Sequence, residues 1–186
     1  LQFEGVDDYV EVTDANNLDG DQNKKITVEA WFNIKDNTPS TIEGIVAKWD
    51  SAGTGANYRE YVLYVNTNGN LVGQGYGSSG FTVSTPILAN RWYHAAFTIL
   101  PDDIAILYLN GVQVGTDTGD QTDITLQANN HLRIGAFGDD TLFFNGKIDE
   151  VRVYNRILTA EEIRTHYLRG SGFGASGAVT ADKFRV

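Results

Sequence analysis

The chain has 186 residues, of which 14 are Lys or Arg and 24 are Asp or Glu, for a formal net charge of −10. Its 41 % hydrophobic content, with 9 Phe, 9 Tyr and 3 Trp, is too high for a disordered acidic tail, and the negative charge argues against a nucleic-acid partner. The absence of Cys excludes disulfides, thiol catalysis and thiolate metal sites, and no apolar run approaches the roughly 20 residues that span a bilayer, which argues against membrane insertion.

Alternating apolar and polar positions dominate the chain and predict strands. In order, these are Leu1–Glu4, Tyr9–Val12, Ile26–Ile34, Gly44–Trp49, Glu60–Val65, Leu71–Gly75, Phe81–Thr85, Trp92–Leu100, Ile104–Leu109, Val112–Thr116, His131–Ala136 and Phe143–Tyr154. The clearest of them sets Ile26, Val28, Ala30, Phe32 and Ile34 on one face, with Thr27, Glu29, Trp31 and Asn33 on the other. Asn110-Gly111 predicts a type I′ hairpin, because both central positions of that turn need positive φ. Asn68-Gly69-Asn70 and Asn145-Gly146 are weaker turn signals of the same kind. So many short strands joined by tight turns imply an all-β sandwich or barrel.

The period changes once. Thr159-Ala-Glu-Glu162 reads as a capping box, and Ile163 and Tyr167 then fall on one helical face. This is a single short helix, closed by Gly170. Residues 170–178 are rich in Gly and Ser and read as a linker, so the globular domain is expected over 1–169, with 170–186 leading toward a neighbouring domain of the same chain. The lack of Met suggests a piece of a longer protein, and the Gly-, Asn- and Asp-rich, Cys-free composition suggests an exported one.

Catalytic signatures are missing. His94, His131 and His166 are assigned structural or surface roles, since no Gly-x-Ser-x-Gly elbow and no His-Glu-x-x-His accompany them. The carboxylate pairs are adjacent residues in turns, on the helix or, for Asp149 and Glu150, on opposite sides of a strand. Glycoside hydrolysis needs two carboxylates facing one bond. Asp14 to Asp21 has the look of a calcium loop but lacks the EF-hand spacing and flanking helices.

Seven segments then occur in an order that resembles the laminin-G-like, concanavalin A-like jelly-roll family. They are Phe3–Val12, Ile26–Phe32, Arg91–Thr98, Leu107–Val112, His131–Gly135, Phe144–Arg156 and Leu158–Ile163. The resemblance implies a two-sheet antiparallel β-sandwich, a jelly roll with one short C-terminal helix, in which the first and last strands meet. It also implies one structural Ca²⁺ held by the Gly5 carbonyl, Asp7 or Asp8, and Asp149. The glucanase signature of the same architecture, Glu-x-Asp-x-x-Glu, is missing, as is the Gln-x-His strand of the alginate-lyase type, so the chain is expected to be non-catalytic.

Sugar sites combine exposed aromatic faces with amides, carboxylates and Arg. On that basis Trp49, Asp50, Tyr58 and Arg59, bracketing a Gly-rich loop, are the candidate carbohydrate-binding residues, with Tyr76 and the loop 137–141 on the same rim. Trp31 and Trp92 are assigned to packing. The expected role is a carbohydrate-binding or adhesion module of an extracellular or cell-surface protein, with a poly- or oligosaccharide partner. The alternative is a structural or assembly module making protein contacts only, for example in an oligomeric virion (phage) fibre or a surface layer.

Overall fold

The computed structural model describes residues 1–15, 18–19, 25–49, 59–76, 80–101, 104–118, 130–138 and 142–172. Strand β1 (Gln2–Glu4) is followed by β2 (Val10–Val12), β3 (Ile26–Ile34), β4 (Glu43–Trp49), β5 (Arg59–Val65), β6 (Asn70–Tyr76) and β7 (Gly80–Pro86). Then come β8 (Tyr93–Ile99), β9 (Ala105–Leu109), β10 (Val112–Asp117), β11 (Leu132–Ile134), β12 (Ala136–Phe137), β13 (Leu142–Phe143), β14 (Asn145–Tyr154) and helix α1 (Ala160–Gly170). One six-stranded sheet runs β1-β14-β3-β8-β9-β10, the other β2-β11-β4-β5-β6-β7, and β12 and β13 form a small ribbon. All pairings are antiparallel, and the first and last strands are hydrogen-bonded neighbours. This is the jelly-roll sandwich that the resemblance implied.

The alternation in β3 predicts the core correctly. Val28, Ala30, Phe32 and Ile34 are fully buried between the sheets, against Ile45, Leu63, Val65 and Leu71 of the facing one. Between β9 and β10, Asn110 has φ 52° and Gly111 φ 75°, the two positive values a type I′ turn requires. Two strand predictions needed division. His131–Ala136 breaks at Gly135 (φ 85°), and Phe143–Tyr154 breaks at Phe144. Asn145-Gly146 is no turn but the start of β14, where the backbone crosses close to β3: a Cβ on Gly146 would lie 2.1 Å from the Asn33 carbonyl oxygen.

The sheets approach so closely at Gly73 that a Cβ there would stand 2.3 Å from Phe97 Cδ2. Gly73→Ala should therefore lose about 1–3 kcal/mol by overpacking. Denaturant unfolding measures this directly, and a wild-type midpoint would contradict the close approach.

The outer face of β3 departs from the simple pattern. Thr27 and Glu29 are fully buried and Trp31 is 9 % exposed, although all three lie away from the inter-sheet core. Helix α1 covers them. It starts on the predicted capping box, with Glu162 N–H donating to Thr159 Oγ1 (3.2 Å) and Thr159 N–H to Glu162 Oε2 (2.8 Å). Ile163 and Leu158 then pack on Ala96 and Tyr108, forming a second, smaller core outside the sandwich.

Candidate functional site

Three features of the sheet under α1 build a cleft. The first is a β-bulge: pairing of β14 with β3 runs regularly to Asp149↔Trp31 and resumes at Arg152↔Glu29. Within the gap Glu150 adopts φ 47°, one of three positive values among the described non-glycine residues. An L-residue in that conformation costs roughly 1–2 kcal/mol, and such strain concentrates at functional positions. Cross-strand partners share a face, so Asp149 lies on the outer side with Trp31. Strict alternation would send Glu150 to the other side, as its sequence position suggested. The bulge instead brings both residues to the lining of one cleft.

The second feature is the C-terminal end of α1. Tyr167 stacks on the Trp31 indole with ring centres 5.8 Å apart and planes at 21°. Gly170 passes over the same ring so closely that a Cβ would sit 2.5 Å from Trp31 Nε1. The third is Trp92, just before β8, which is 45 % exposed at the cleft margin. Its assignment to packing from the sequence is thus corrected: it precedes the strand and no element covers it fully. Trp31 does pack, but its Nε1 has no hydrogen-bond partner. A buried unsatisfied N–H costs about 1–3 kcal/mol and calls for an explanation.

Together these groups and Ser171 enclose about 450 Å³, within the usual range for a small-ligand site. Asp149 Oδ1 accepts from Glu150 N–H (2.9 Å), and Glu150 Oε2 accepts from Arg152 Nη2 (2.5 Å). Across Glu150 and Gly170 lies a second hollow of about 300 Å³ bordered by Arg152, Tyr154, His166 and Arg169. Two of its basic groups are already engaged by the buried Glu29. Arg152 Nη1 donates to Glu29 Oε1 at 3.1 Å and the Tyr154 hydroxyl to the same oxygen at 3.2 Å. His166 Nδ1 lies 3.0 Å from Oε1, and His94 Nε2 3.6 Å from Oε2. Burial acts most strongly on this carboxyl and would raise it, but the His94 and His166 imidazoles overcome that and hold it at about 2.

The residues singled out from the sequence are placed differently. Trp49 is 6 % exposed, packed 5.7 Å from Phe137, while Tyr64 stacks on Phe137 at 5.4 Å. Trp49 and Phe137 are thus neighbours, and the indole has no open face to offer a sugar ring; residues 139–141 lie outside the described residues. Asp50 and Tyr58 lie outside the described residues. Arg59 and Tyr76 are described as backbone only, at the start of β5 and the end of β6.

The proposed calcium ligands do not converge. Gly5 abuts Asn145, with a Cβ there 2.9 Å from Asn145 Cβ, whereas Asp149 is four residues farther along β14, about 13 Å away at strand spacing. Oxygens sharing one Ca²⁺ each lie about 2.3–2.6 Å from it, so their separation cannot exceed about 5 Å. Asp8 Oδ2 instead closes its own turn by accepting from Glu4 N–H at 2.9 Å. Among the described residues no three His, Asp or Glu side chains form a metal-binding group, so the ion does not fit this set. Asp14 and Asp19, in the segment resembling a calcium loop, meet a cation that the protein itself supplies. Lys48 Nζ, fully buried, lies 2.9 Å from Asp14 Oδ1, 2.7 Å from Asp19 Oδ1 and 2.6 Å from Glu60 Oε1.

Over residues 4–164 the chain matches the sequence pattern of the concanavalin A-like lectin/glucanases superfamily. No curated protein matches it. Among solved structures it is similar to the binding domain of Paraclostridial Mosquitocidal Protein 1, with 13 % identity over 90 % of this chain and 46 % of that one, and a TM-score of 0.70. It is also similar to the binding domain of botulinum neurotoxin DC in complex with SialylT, with 13 % identity, 90 % and 42 % coverage and a TM-score of 0.65. Trypanosoma rangeli sialidase shares 22 % identity, covering 95 % of this chain and 28 % of the enzyme, with a TM-score of 0.66. The chain thus spans less than half the length of each of these three proteins, and the likeness to them is one of fold.

Proposed function

Because the chain belongs to the concanavalin A-like lectin/glucanases superfamily, we propose that it is a non-catalytic carbohydrate-binding module of an extracellular or surface protein, with its ligand in the cleft beside α1. The observation that carries this reading is the pairing of the half-exposed Trp92 ring with the Asp149 and Glu150 carboxylates on one wall. An exposed indole presents a π-face to the C–H face of a pyranose, and carboxylates accept hydrogen bonds from its hydroxyls. The two carboxylates come from consecutive residues of one strand and approach a ligand from the same side. Hydrolysis of a glycosidic bond uses carboxylates on either side of that bond, so binding without turnover is the better match.

A glycan array tests the reading, with Trp92→Ala as the companion variant. Wild type should bind at least one saccharide, and the variant at least about fivefold more weakly, since a stacked aromatic contributes on the order of 1 kcal/mol or more. The melting temperature should barely move, because the ring is already half in solvent. Silence of the wild type across neutral and acidic glycans, or equal binding by the variant, would defeat it.

A further inference from the structure

We infer that the cleft beside α1 selects an uncharged sugar and turns away sialylated and uronic ones, an inference resting on the saccharide-binding reading above. Its polar lining consists mainly of acceptors. Asp149 and Glu150 can only accept, and Ser171, whose hydroxyl donates to the Leu168 carbonyl at 3.1 Å, has only its lone pairs left to offer. A ligand must therefore bring donors, as the hydroxyls of a pyranose do. Tyr167 and Trp92 are the lining residues that carry a hydroxyl and an indole N–H, whereas Trp31 Nε1 lies buried beneath Gly170.

Among the described residues that line the cleft none is cationic. The Arg152 guanidinium borders the neighbouring hollow and is held by Glu29 and Glu150. A carboxylate on the ligand would lie beside Asp149 and Glu150, and because the Arg152 guanidinium bonded to Glu150 is shared with Glu29 the local charge stays negative and repels it in a partly desolvated site.

The same acceptors would suit an ammonium, but the aromatic geometry does not. A cage for a cation needs several free ring faces. Trp31 and Tyr167 spend a face on each other at 5.8 Å, and Gly170 covers the Nε1 edge of Trp31. Trp92 alone keeps an open face, and one platform stacks on a sugar ring.

The test is ¹H–¹⁵N spectroscopy of the three Trp indole N–H signals, assigned with Trp31→Phe and Trp92→Phe. The intact chain is titrated with cellotriose, maltotriose, triacetylchitotriose and lactose, and in parallel with 3′-sialyllactose, trigalacturonate and choline chloride. At least one neutral sugar should shift the Trp31 and Trp92 signals, with the acidic sugars at least tenfold weaker. In Asp149→Asn/Glu150→Gln that discrimination should shrink at least fivefold.

Sialyllactose or trigalacturonate shifting those two signals as strongly as a neutral sugar would overturn the inference and leave saccharide binding intact. So would choline binding there in preference to the sugars. An unchanged discrimination in the double variant would show that the carboxylates do not set it. If no sugar moves any indole signal and the array is silent, the binding reading itself fails.

Discussion

Lys48→Met is expected to lower the stability of the chain by about 3–5 kcal/mol, the range for removing one partner of a buried ion pair. The ammonium is fully buried and within 3 Å of carboxylates from three separate parts of the chain, Asp14, Asp19 and Glu60. Burial is the largest influence on Lys48 and would lower its pKa, yet the charge of Glu60 and the hydrogen bonds of Asp19, Glu60 and Asp14 raise it above the usual lysine value. A raised basic group contributes its stability in full below its unfolded pKa and loses it only as pH climbs through the folded one. At neutral pH the whole contribution is therefore present. Met fills the volume of the Lys stem but leaves the carboxylates facing one another. At roughly 2–4 °C per kcal/mol for a chain of this size, the melting temperature should fall by about 10 °C. Adding Asp14→Asn, Asp19→Asn and Glu60→Gln to Lys48→Met should recover most of the loss, because neutral amides can remain buried with less penalty. A drop below about 3 °C in the single variant would mean the cluster stabilises little.

Two buried glutamates are expected to give the fold its highest stability in mildly acidic solution. Glu29, held at about 2 against an ordinary 4.5, favours the folded state above pH 4.5, and that contribution disappears as pH falls through about 2. Glu43 has the opposite sign. Burial, with the negative charge of Asp36, lifts it to about 7 even though Asn145 N–H donates to its Oε2 at 2.9 Å. It costs nothing below pH 4.5, a growing amount as pH climbs to about 7, and its full penalty beyond. Each shift of some 2.5 units corresponds to about 3 kcal/mol. The melting temperature should therefore peak between about pH 4.5 and 5 and fall on both sides. The sequence pI near 4.6 works in the same direction, since the −10 charge at neutrality makes the compact state repel itself. Glu43→Gln should flatten the limb between pH 4.5 and 7, and Glu29→Gln should lower stability at pH 7 by about 3 kcal/mol. A wild-type melting temperature that keeps rising from pH 4.5 to 8, with Glu43→Gln superimposable on it, would refute this account.

Both effects arise in places where local sequence is a poor guide. The hairpin at Asn110-Gly111, the inward face of β3 and the capping box at Thr159 rest on residues close in the chain, so their periodicity and turn chemistry were readable directly. Glu29 looked like an outward, solvated strand position because the helix that buries it begins 131 residues later. Trp49 looked available for stacking because Phe137, which covers it, lies 88 residues away in sequence. Asp149 and Glu150 counted as divergent until the bulge, recorded in no residue type, broke the alternation. The Trp92 cleft had one sequence signal, a Trp beside Arg91 at the very start of the predicted strand 92–100, ahead of the run that the structure begins at Tyr93. Of the described site residues named from the sequence, Asp149 alone stands in the cleft, and there as an acceptor beside Glu150.

Hydrogen bonds at Leu1 bring the start of the described fold beside its end. Leu1 donates its ammonium to the Ile148 carbonyl at 2.8 Å and accepts from Ile148 N–H at 3.1 Å, one residue from Asp149. Ser171, at the far end of α1, lines the same cleft as Asp149. The two ends of the described fold thus emerge side by side at a single pole, the arrangement that lets a domain be spliced into a host loop without disturbing it. Both ends of the described fold therefore stand beside the Trp92 cleft.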